Sequence, residues 1–206
     1  EALNKFYTSN KTIRNSIADN LFNSWYYPFY KFGIIHGDPH PGNYTIANNG
    51  DSLNLLDFGC IRVFNPNFVG GVIKLYKALL NDNKDEAAKA YKSWGFKNLN
   101  SRLVEALNVW ALYLYGPLLE NKIRKIQDHQ GASYAKELLG KVRKDLNKYG
   151  GVKPPREFVL VDRAAIGLGS VFMHLNAELN WHEKFEILIN NFNEKKVASS
   201  QKQLLL

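Results

Sequence analysis

The sequence is poor in sulfur and contains no long apolar run. Cys60 is its only cysteine and Met173 its only methionine among 206 residues. A single cysteine excludes an internal disulfide bond and is typical of a reducing compartment. The longest apolar candidate, residues 109–119, has only eleven residues, so we expect no transmembrane segment.

The composition instead indicates a folded domain. Hydrophobic residues make up 45% of the chain and aromatic residues 13%, which excludes a disordered chain. A length of 206 residues is enough to bury one substantial core. The sequence shows no secretory signal. Because it begins at Glu1 rather than at a methionine, we expect a piece of a longer protein.

Two short polar motifs lie close together in the first third of the chain. The first is His36-Gly37-Asp38-Pro39-His40-Pro41-Gly42-Asn43, and the second is Leu55-Leu56-Asp57-Phe58-Gly59. Between them, β-prone runs at 44–47 and 53–56 flank an Asn-Gly pair, which is a strong signal for a β-hairpin. We therefore predict two polar turns that are joined by one hairpin.

The spacing of these motifs resembles the catalytic loop and the D-F-G turn of protein kinases. In such proteins an aspartate orients the attacking hydroxyl or water, while an asparagine and a second aspartate hold magnesium ions on the phosphates. The pattern assigns Asp38 as the catalytic carboxylate, and Asn43 and Asp57 as ligands of Mg²⁺ and ATP. The alternative is a buried turn whose polar side chains satisfy backbone amides.

Two histidines and one cysteine accompany these residues. His36 occupies a place that is usually structural, and we expect it to take no part in chemistry. His40 lies where many protein kinases carry a lysine that touches the transferred phosphate, so we include it among the candidate cofactor-binding residues. Cys60 directly follows the D-F-G turn. We interpret it as a small buried side chain rather than as part of a nucleotide pocket.

A narrower resemblance rests on three segments. Residues 38–43, D-P-H-P-G-N, resemble the catalytic loop of the UbiB-like (ubiquinone-biosynthesis, aarF-type) family of atypical kinases. Residues 160–169, L-V-D-R-A-A-I-G-L-G, and residues 177–181, A-E-L-N-W, are similar to segments near that family's C-terminal end. The resemblance implies Mg-ATP-dependent ATPase or phosphotransferase activity in support of ubiquinone biosynthesis, with quinone-biosynthesis proteins as partners.

Two alternative functions remain open. Small-molecule phosphotransferases of the aminoglycoside-kinase type share the H-G-D-x-H-P-G-N pattern. A non-catalytic scaffold that binds nucleotide and organises lipid-synthesis enzymes is the second alternative. No serine, threonine or A-P-E sequence occurs between Asp57 and Lys92, which argues against an ordinary protein kinase with a phosphorylated peptide-docking loop.

The predicted fold is mainly α (α+β): a protein-kinase-like C-terminal lobe with a short β-hairpin between the catalytic loop and the D-F-G turn. Only 37 residues precede Asp38 and they contain no glycine-rich loop, so we expect the N-terminal lobe to be absent. We predict helices at 11–32, 68–80, 85–94, from 101 to about 127 with an interruption near residues 116–117, at 132–148, and from 157 to about 181, followed by a last amphipathic piece through residue 192. The predicted divisions are a lobe at 1–149, a linker at 150–156, C-terminal helices at 157–195 and a frayed tail at 196–206.

The net charge of +8 is concentrated in one region. Residues 121–148 contain eight basic and three acidic side chains. Such a region fits either contact with an anionic membrane surface or a solvated face that keeps the protein soluble. With the family resemblance, it predicts a peripheral membrane protein on the cytoplasmic or mitochondrial-matrix side. No nucleic-acid-binding module is recognisable, so we expect no such partner.

Overall fold

The computed structural model describes residues 1–47, 50–127, 132–150 and 153–204. Within these ranges the chain forms eight α-helices and six short strands. The helices are α1 (Lys11–Phe32), α2 (Pro66–Leu80), α3 (Lys84–Ser93), α4 (Ser101–Leu119), α5 (Ala132–Tyr149), α6 (Arg156–Leu175), α7 (Trp181–Ile189) and α8 (Glu194–Leu204). The strands are β1 (Ile34–Ile35), β2 (Tyr44–Ala47), β3 (Ser52–Leu55), β4 (Arg62–Val63), β5 (Arg124–Lys125) and β6 (Glu178–Leu179). The chain is therefore mainly helical with small sheets, as the sequence predicted.

The strands form three antiparallel pairs of two strands each within the described residues. β2 pairs with β3 in the register Tyr44 opposite Leu55, which is the predicted hairpin; the predicted turn residues 48–49 lie outside the described residues. β1 pairs with β4, and β5 pairs with β6. The first two pairs lie on either side of the two polar motifs and so determine where those motifs meet.

Helix α1 forms over the residues that the apolar spacing predicted. Its N-cap is Asn10, whose side chain accepts a hydrogen bond from the Ile13 amide at 3.0 Å. Gly33 ends it in the left-handed conformation that a C-cap requires. The helix buries one side against the core through Ile17, Ala18, Leu21, Phe22, Trp25, Phe29 and Tyr30. It therefore delivers the chain directly into β1 and the first polar motif.

Two predicted helices end earlier than expected. α4 stops at Leu119 rather than near residue 127, and α6 stops at Leu175 rather than near residue 181. Both corrections have one cause, because the residues that follow the two helices pair with each other as β5 and β6. The Trp181 indole donates to the Arg124 carbonyl at 2.9 Å and fixes this pairing. Periodicity along a single segment contains no information about such a distant partner.

The C-terminal tail was expected to fray from residue 196, and this prediction is wrong for the residues described. Residues up to Leu204 belong to α8, which packs against α1 and α2. Val197 is buried, and the Gln201 side chain donates to the Phe64 carbonyl at 2.7 Å. These two side chains lie one helical turn apart and anchor an otherwise polar segment. Of the predicted linker, residues 151–152 lie outside the described residues, and α6 begins at Arg156.

Helix α6 is the one helix in the described ranges that has the length and composition of a membrane span, with a mean hydropathy of 1.5. The count of consecutive apolar residues missed it because Asp162 and Arg163 interrupt the run. Core helices of soluble proteins have the same composition, and α6 places Leu168 and Phe172 in the core. Composition alone therefore does not make α6 a membrane span.

A half-buried carboxylate connects α6 to α4. The Trp110 indole N–H donates to both Asp162 oxygens, at 2.9 Å to Oδ1 and 3.0 Å to Oδ2. Burial raises the pKa of the Asp162 carboxyl to about 6, although the Trp110 hydrogen bond acts in the opposite direction. The folded chain thus holds the Asp162 proton more tightly than the unfolded chain does.

We expect Asp162→Asn to stabilise the protein at pH 8. The Asp162 contribution is most favourable below pH 4 and is lost as pH rises through about 6, because only the unfolded chain ionises this group without a penalty. A pKa near 6 instead of 3.8 corresponds to up to about 3 kcal/mol at pH 8. An asparagine oxygen still accepts from Trp110 without carrying charge.

Urea denaturation of both proteins at pH 8 and pH 5 measures this effect. The stability gain of the asparagine variant should shrink at the lower pH. Glu137→Gln, which changes an exposed carboxylate of α5, is the matched control and should change stability little at either pH. An asparagine variant that is less stable than the wild type at pH 8 would contradict the explanation.

Candidate active site

His36 joins the two polar motifs. Its side chain is only 6% exposed, and Nε2 lies 2.9 Å from the Leu56 carbonyl oxygen. Since a carbonyl only accepts, Nε2 carries a proton and donates to Leu56. The ring also contacts Phe58 of the D-F-G turn, with their centroids 5.6 Å apart. The geometry is that of a structural histidine, which holds the turn that follows β3 against the loop that follows β1.

Gly37 brings the same two segments into backbone contact. Its φ of +82° lies in the region that favours glycine, and a Cβ at this position would overlap the Cys60 carbonyl. Cys60 itself is exposed, at the end of a one-turn 3₁₀ helix formed by Phe58–Cys60. The expectation of a buried cysteine is therefore wrong, because the turn directs its side chain outward.

Asp38 and Asn43 meet within one loop, as their spacing predicted. The Asn43 amide donates from Nδ2 to Asp38 Oδ2 at 2.8 Å and to the Asp38 carbonyl at 3.3 Å. The His40 backbone N–H donates to Asp38 Oδ1 at 3.3 Å. Both oxygens of the Asp38 carboxylate are thus oriented by donors from its own loop, and the asparagine is left with Oδ1 for another partner.

His40 lies at the edge of this loop. Its Nδ1 accepts a hydrogen bond from the Gly42 N–H at 3.0 Å and caps the single 3₁₀ turn Pro41–Asn43. In a neutral ring the proton then resides on Nε2. The side chain is exposed, so this N–H is accessible from solvent. His40 shapes the loop and also presents one donor beside Asp38.

Asp57 lies next to Asn43 because of the hairpin. The Leu56 amide donates to the Asn43 carbonyl at 2.9 Å, which extends the β2–β3 pairing by one residue on each strand. Asp57 follows with φ of +53°, a conformation that is uncommon for residues other than glycine. Its Oδ1 accepts from the Gly59 N–H at 3.2 Å and supports the turn. Asp57 therefore occupies a position of backbone strain directly after the residue that pairs with Asn43.

The donor set fits a hard cation that is only partly ligated by protein. Asn43 Oδ1 and Asp57 Oδ2 accept no hydrogen bond from the described residues. Those residues also contain no group of three or more His, Cys, Asp or Glu side chains that could hold a metal. Mg²⁺ usually takes one or two protein oxygens and completes its shell with phosphates and water. The pair therefore fits a nucleotide-bound magnesium ion better than a metal held by protein alone.

The loop also depends on a residue far away in sequence. A Cβ at Gly167 of α6 would lie well inside van der Waals contact with Pro39, next to Asp38. Gly167 therefore faces the catalytic-type loop. No local pattern identifies such a contact, and only the resemblance of both segments to one family connected them in advance.

Residues 2–91, which contain both motifs, match a family model that is described as the ABC1 atypical kinase-like domain. The resemblance to aarF-type atypical kinases is thereby confirmed. Two curated relatives from Arabidopsis thaliana match as well. Protein ACTIVITY OF BC1 COMPLEX KINASE 8, chloroplastic, is 31% identical over 64 residues, and an uncharacterised aarF domain-containing protein kinase, chloroplastic, is 25% identical over 160 residues.

The chain spans only a part of these relatives. It covers 8% of the first protein and 21% of the second, while the matches include 31% and 73% of this chain. A solved complex of Rv3197 from Mycobacterium tuberculosis with erythromycin superimposes with a TM-score of 0.59 at 18% identity, over 89% of this chain and 45% of that one. At this identity the structural likeness supports the fold alone.

The contact between Gly167 and Pro39 predicts that Gly167→Ala will destabilise the protein by about 1–3 kcal/mol, because a methyl group at this position has no room. Gly169→Ala is the matched control on the same helix, since a Cβ there meets nothing within 4 Å. Alanine's higher helix propensity should make the control neutral or more stable by up to about 1 kcal/mol.

Thermal denaturation compares the two variants, and amide hydrogen exchange of residues 36–43 reports on the loop. Faster exchange is expected in the Gly167 variant only. Equal stability of the two alanine variants, with unchanged exchange in the loop, would show that α6 does not support the loop.

Proposed function

We propose that this chain supplies the catalytic loop and the metal-binding turn of an atypical kinase that uses Mg-ATP. The observation that carries the proposal is the hydrogen-bonded pair of Asp38 and Asn43, together with the pairing of β2, which follows Asn43, with β3, which precedes Asp57. The match to an ABC1 atypical kinase-like domain over the same residues supports it.

Each polar residue then has one task. Asp38, held by Asn43 and the His40 amide, orients the hydroxyl or water that attacks the terminal phosphoryl group. Asn43 Oδ1 and Asp57 hold Mg²⁺, which when bound neutralises charge on the phosphates. The exposed His40 Nε2–H donates to a phosphate oxygen. A neutral imidazole compensates charge less well than a lysine would.

The short segment after Asp57 favours ATP hydrolysis or a small acceptor over a peptide substrate. Only residues 58–65 separate Asp57 from α2, and two of them form β4. A long loop that docks a peptide has no place there. By family resemblance, the activity of the full-length protein supports ubiquinone biosynthesis. The nucleotide also needs groups for its α- and β-phosphates, which we assign to a further lobe of the full-length protein.

We expect the full-length protein to hydrolyse ATP in a magnesium-dependent manner, and Asp57→Asn to lower the rate at least about 100-fold because a ligand charge is lost. Asp38→Asn should lower it similarly, with nucleotide binding retained because Asp38 acts on the nucleophile. Asp51→Asn, in the exposed turn between β2 and β3, is the control and should keep full activity.

The same assay separates the alternatives. Phosphorylation of a soluble alcohol by the full-length protein would favour a small-molecule phosphotransferase. Bound nucleotide without any turnover would favour the scaffold. Undiminished turnover in both the Asp38 and Asp57 variants would exclude the proposed site.

The basic helix α5 supports a peripheral position at an anionic membrane. Its buried residues Val142 and Leu146 lie on the side that packs on the domain, where α5 contacts α4. The opposite side carries exposed basic residues, which are Lys136, Lys141, Arg143, Lys144 and Lys148. Basic residues near an anionic bilayer contribute about 1 kcal/mol each. This face is therefore suited to such a surface.

We expect the chain to bind vesicles that contain phosphatidylserine and to bind phosphatidylcholine vesicles weakly. The double variant Lys141→Glu/Lys144→Glu should weaken phosphatidylserine binding at least about tenfold, because two attractive charges become repulsive. Lys77→Glu/Lys97→Glu changes net charge equally at exposed sites outside α5 and serves as the control. Co-sedimentation at two salt concentrations measures both. An equal loss in the two variants would indicate a net-charge effect rather than a specific face.

A further inference from the structure

A partly enclosed cavity of about 90 Å³ lies between α1, α2, α4 and α6. Aromatic and aliphatic side chains form most of its surface, among them Trp25, Tyr30, Trp94 and Leu168. Asp162 contributes the only carboxylate, and no basic side chain lines the cavity in the described part of the chain. An apolar cavity of this kind normally stays dry. A carboxylate in its lining needs a separate explanation.

The Asp162 carboxylate has few hydrogen-bond donors and no positive charge near it in the ranges that the structure describes. A carboxylate offers about four acceptor positions, but a single N–H, that of Trp110, serves both of its oxygens. No ion pair joins Asp162 to a basic side chain among the described residues. The other titratable groups that sense its charge are the phenols of Tyr91 and Tyr115, and Asp162 contributes to raising the pKa of each. These phenols stay neutral, so no positively charged side chain within the described ranges balances the negative charge of Asp162.

We propose that this cavity binds a small apolar amine, whose ammonium group pairs with Asp162 while its hydrocarbon part fills the aromatic surroundings. The ammonium group supplies the missing positive charge and up to three hydrogen bonds. Neighbouring indole and phenol rings favour a cation further through their π faces. This site lies outside the Asp38, Asn43 and Asp57 cluster and does not depend on the proposed nucleotide chemistry.

The dimensions limit the ligand. A cavity of about 150 Å³ holds benzene, so the 90 Å³ available here suits about four non-hydrogen atoms. A second cavity of about 60 Å³ shares Tyr26, Leu114, Leu118 and Ala165 with the first. The two cavities therefore lie against the same side chains. The four carbons of isobutylamine fit this space while its nitrogen pairs with Asp162 in the lining, which makes it a suitable probe, with isobutanol as a neutral analogue of nearly the same shape.

The test is titration calorimetry of the 206-residue chain with isobutylamine at pH 7.5, beside isobutanol and ammonium chloride at the same ionic strength. We expect isobutylamine to bind with a dissociation constant on the order of 1 mM, and isobutanol at least about tenfold more weakly. Asp162→Asn should weaken amine binding at least about tenfold and leave isobutanol binding unchanged. Glu137→Gln, an exposed carboxylate of α5, is the control and should bind like the wild type.

A second variant separates the cavity from the charge. Ala111→Leu adds three carbons to the lining while Asp162 is retained, and it should abolish binding of both ligands. Three outcomes would overturn the proposal: equal binding of amine and alcohol, an Asp162→Asn variant that binds the amine as tightly as the wild type, or unchanged binding after Ala111→Leu.

Discussion

The hydrogen bond from His36 to the Leu56 carbonyl is the interaction on which the candidate site depends. Asp38 and Asp57 are nineteen residues apart in sequence, and each lies in a turn. Their relative position therefore depends on contacts between the two turns. His36 is buried, so no water competes for its N–H, and breaking the bond would leave an unsatisfied donor in an apolar environment. Together with the β2–β3 pairing, this one bond fixes both turns relative to each other.

A second constraint comes from the other end of the chain. Gly167 is the position where α6 touches Pro39, the residue that follows Asp38. The two segments that resemble aarF-type kinases most closely are thus parts of one structure, although more than a hundred residues separate them. The loop lies between the hairpin on one side and α6 on the other. Its shape is therefore a property of the whole domain.

The sequence was sufficient wherever local chemistry decides the structure. The extent of α1 and the β2–β3 hairpin could be predicted from spacing and residue type, as could the meeting of Asp38 with Asn43 in one loop. The sequence-based predictions were wrong where a residue distant in sequence determines the local structure. The ends of α4 and α6 follow from strands that pair with each other, and the order of the tail follows from Gln201 and the Phe64 carbonyl. Single-segment patterns do not contain those partners.

Asp162 is a half-buried carboxylate in a lining that is otherwise almost entirely apolar. An apolar residue of similar size would fill this position without a desolvation penalty, and buried charges are often neutral or unfavourable for stability. Burial raises the pKa of Asp162 to about 6, so we expect its ionised form to weaken the fold at neutral pH, and ligand binding would explain a carboxylate at this position. Asp162 and Gly167 lie on the same helix, so α6 carries both the carboxylate of the cavity and the contact with Pro39 beside Asp38.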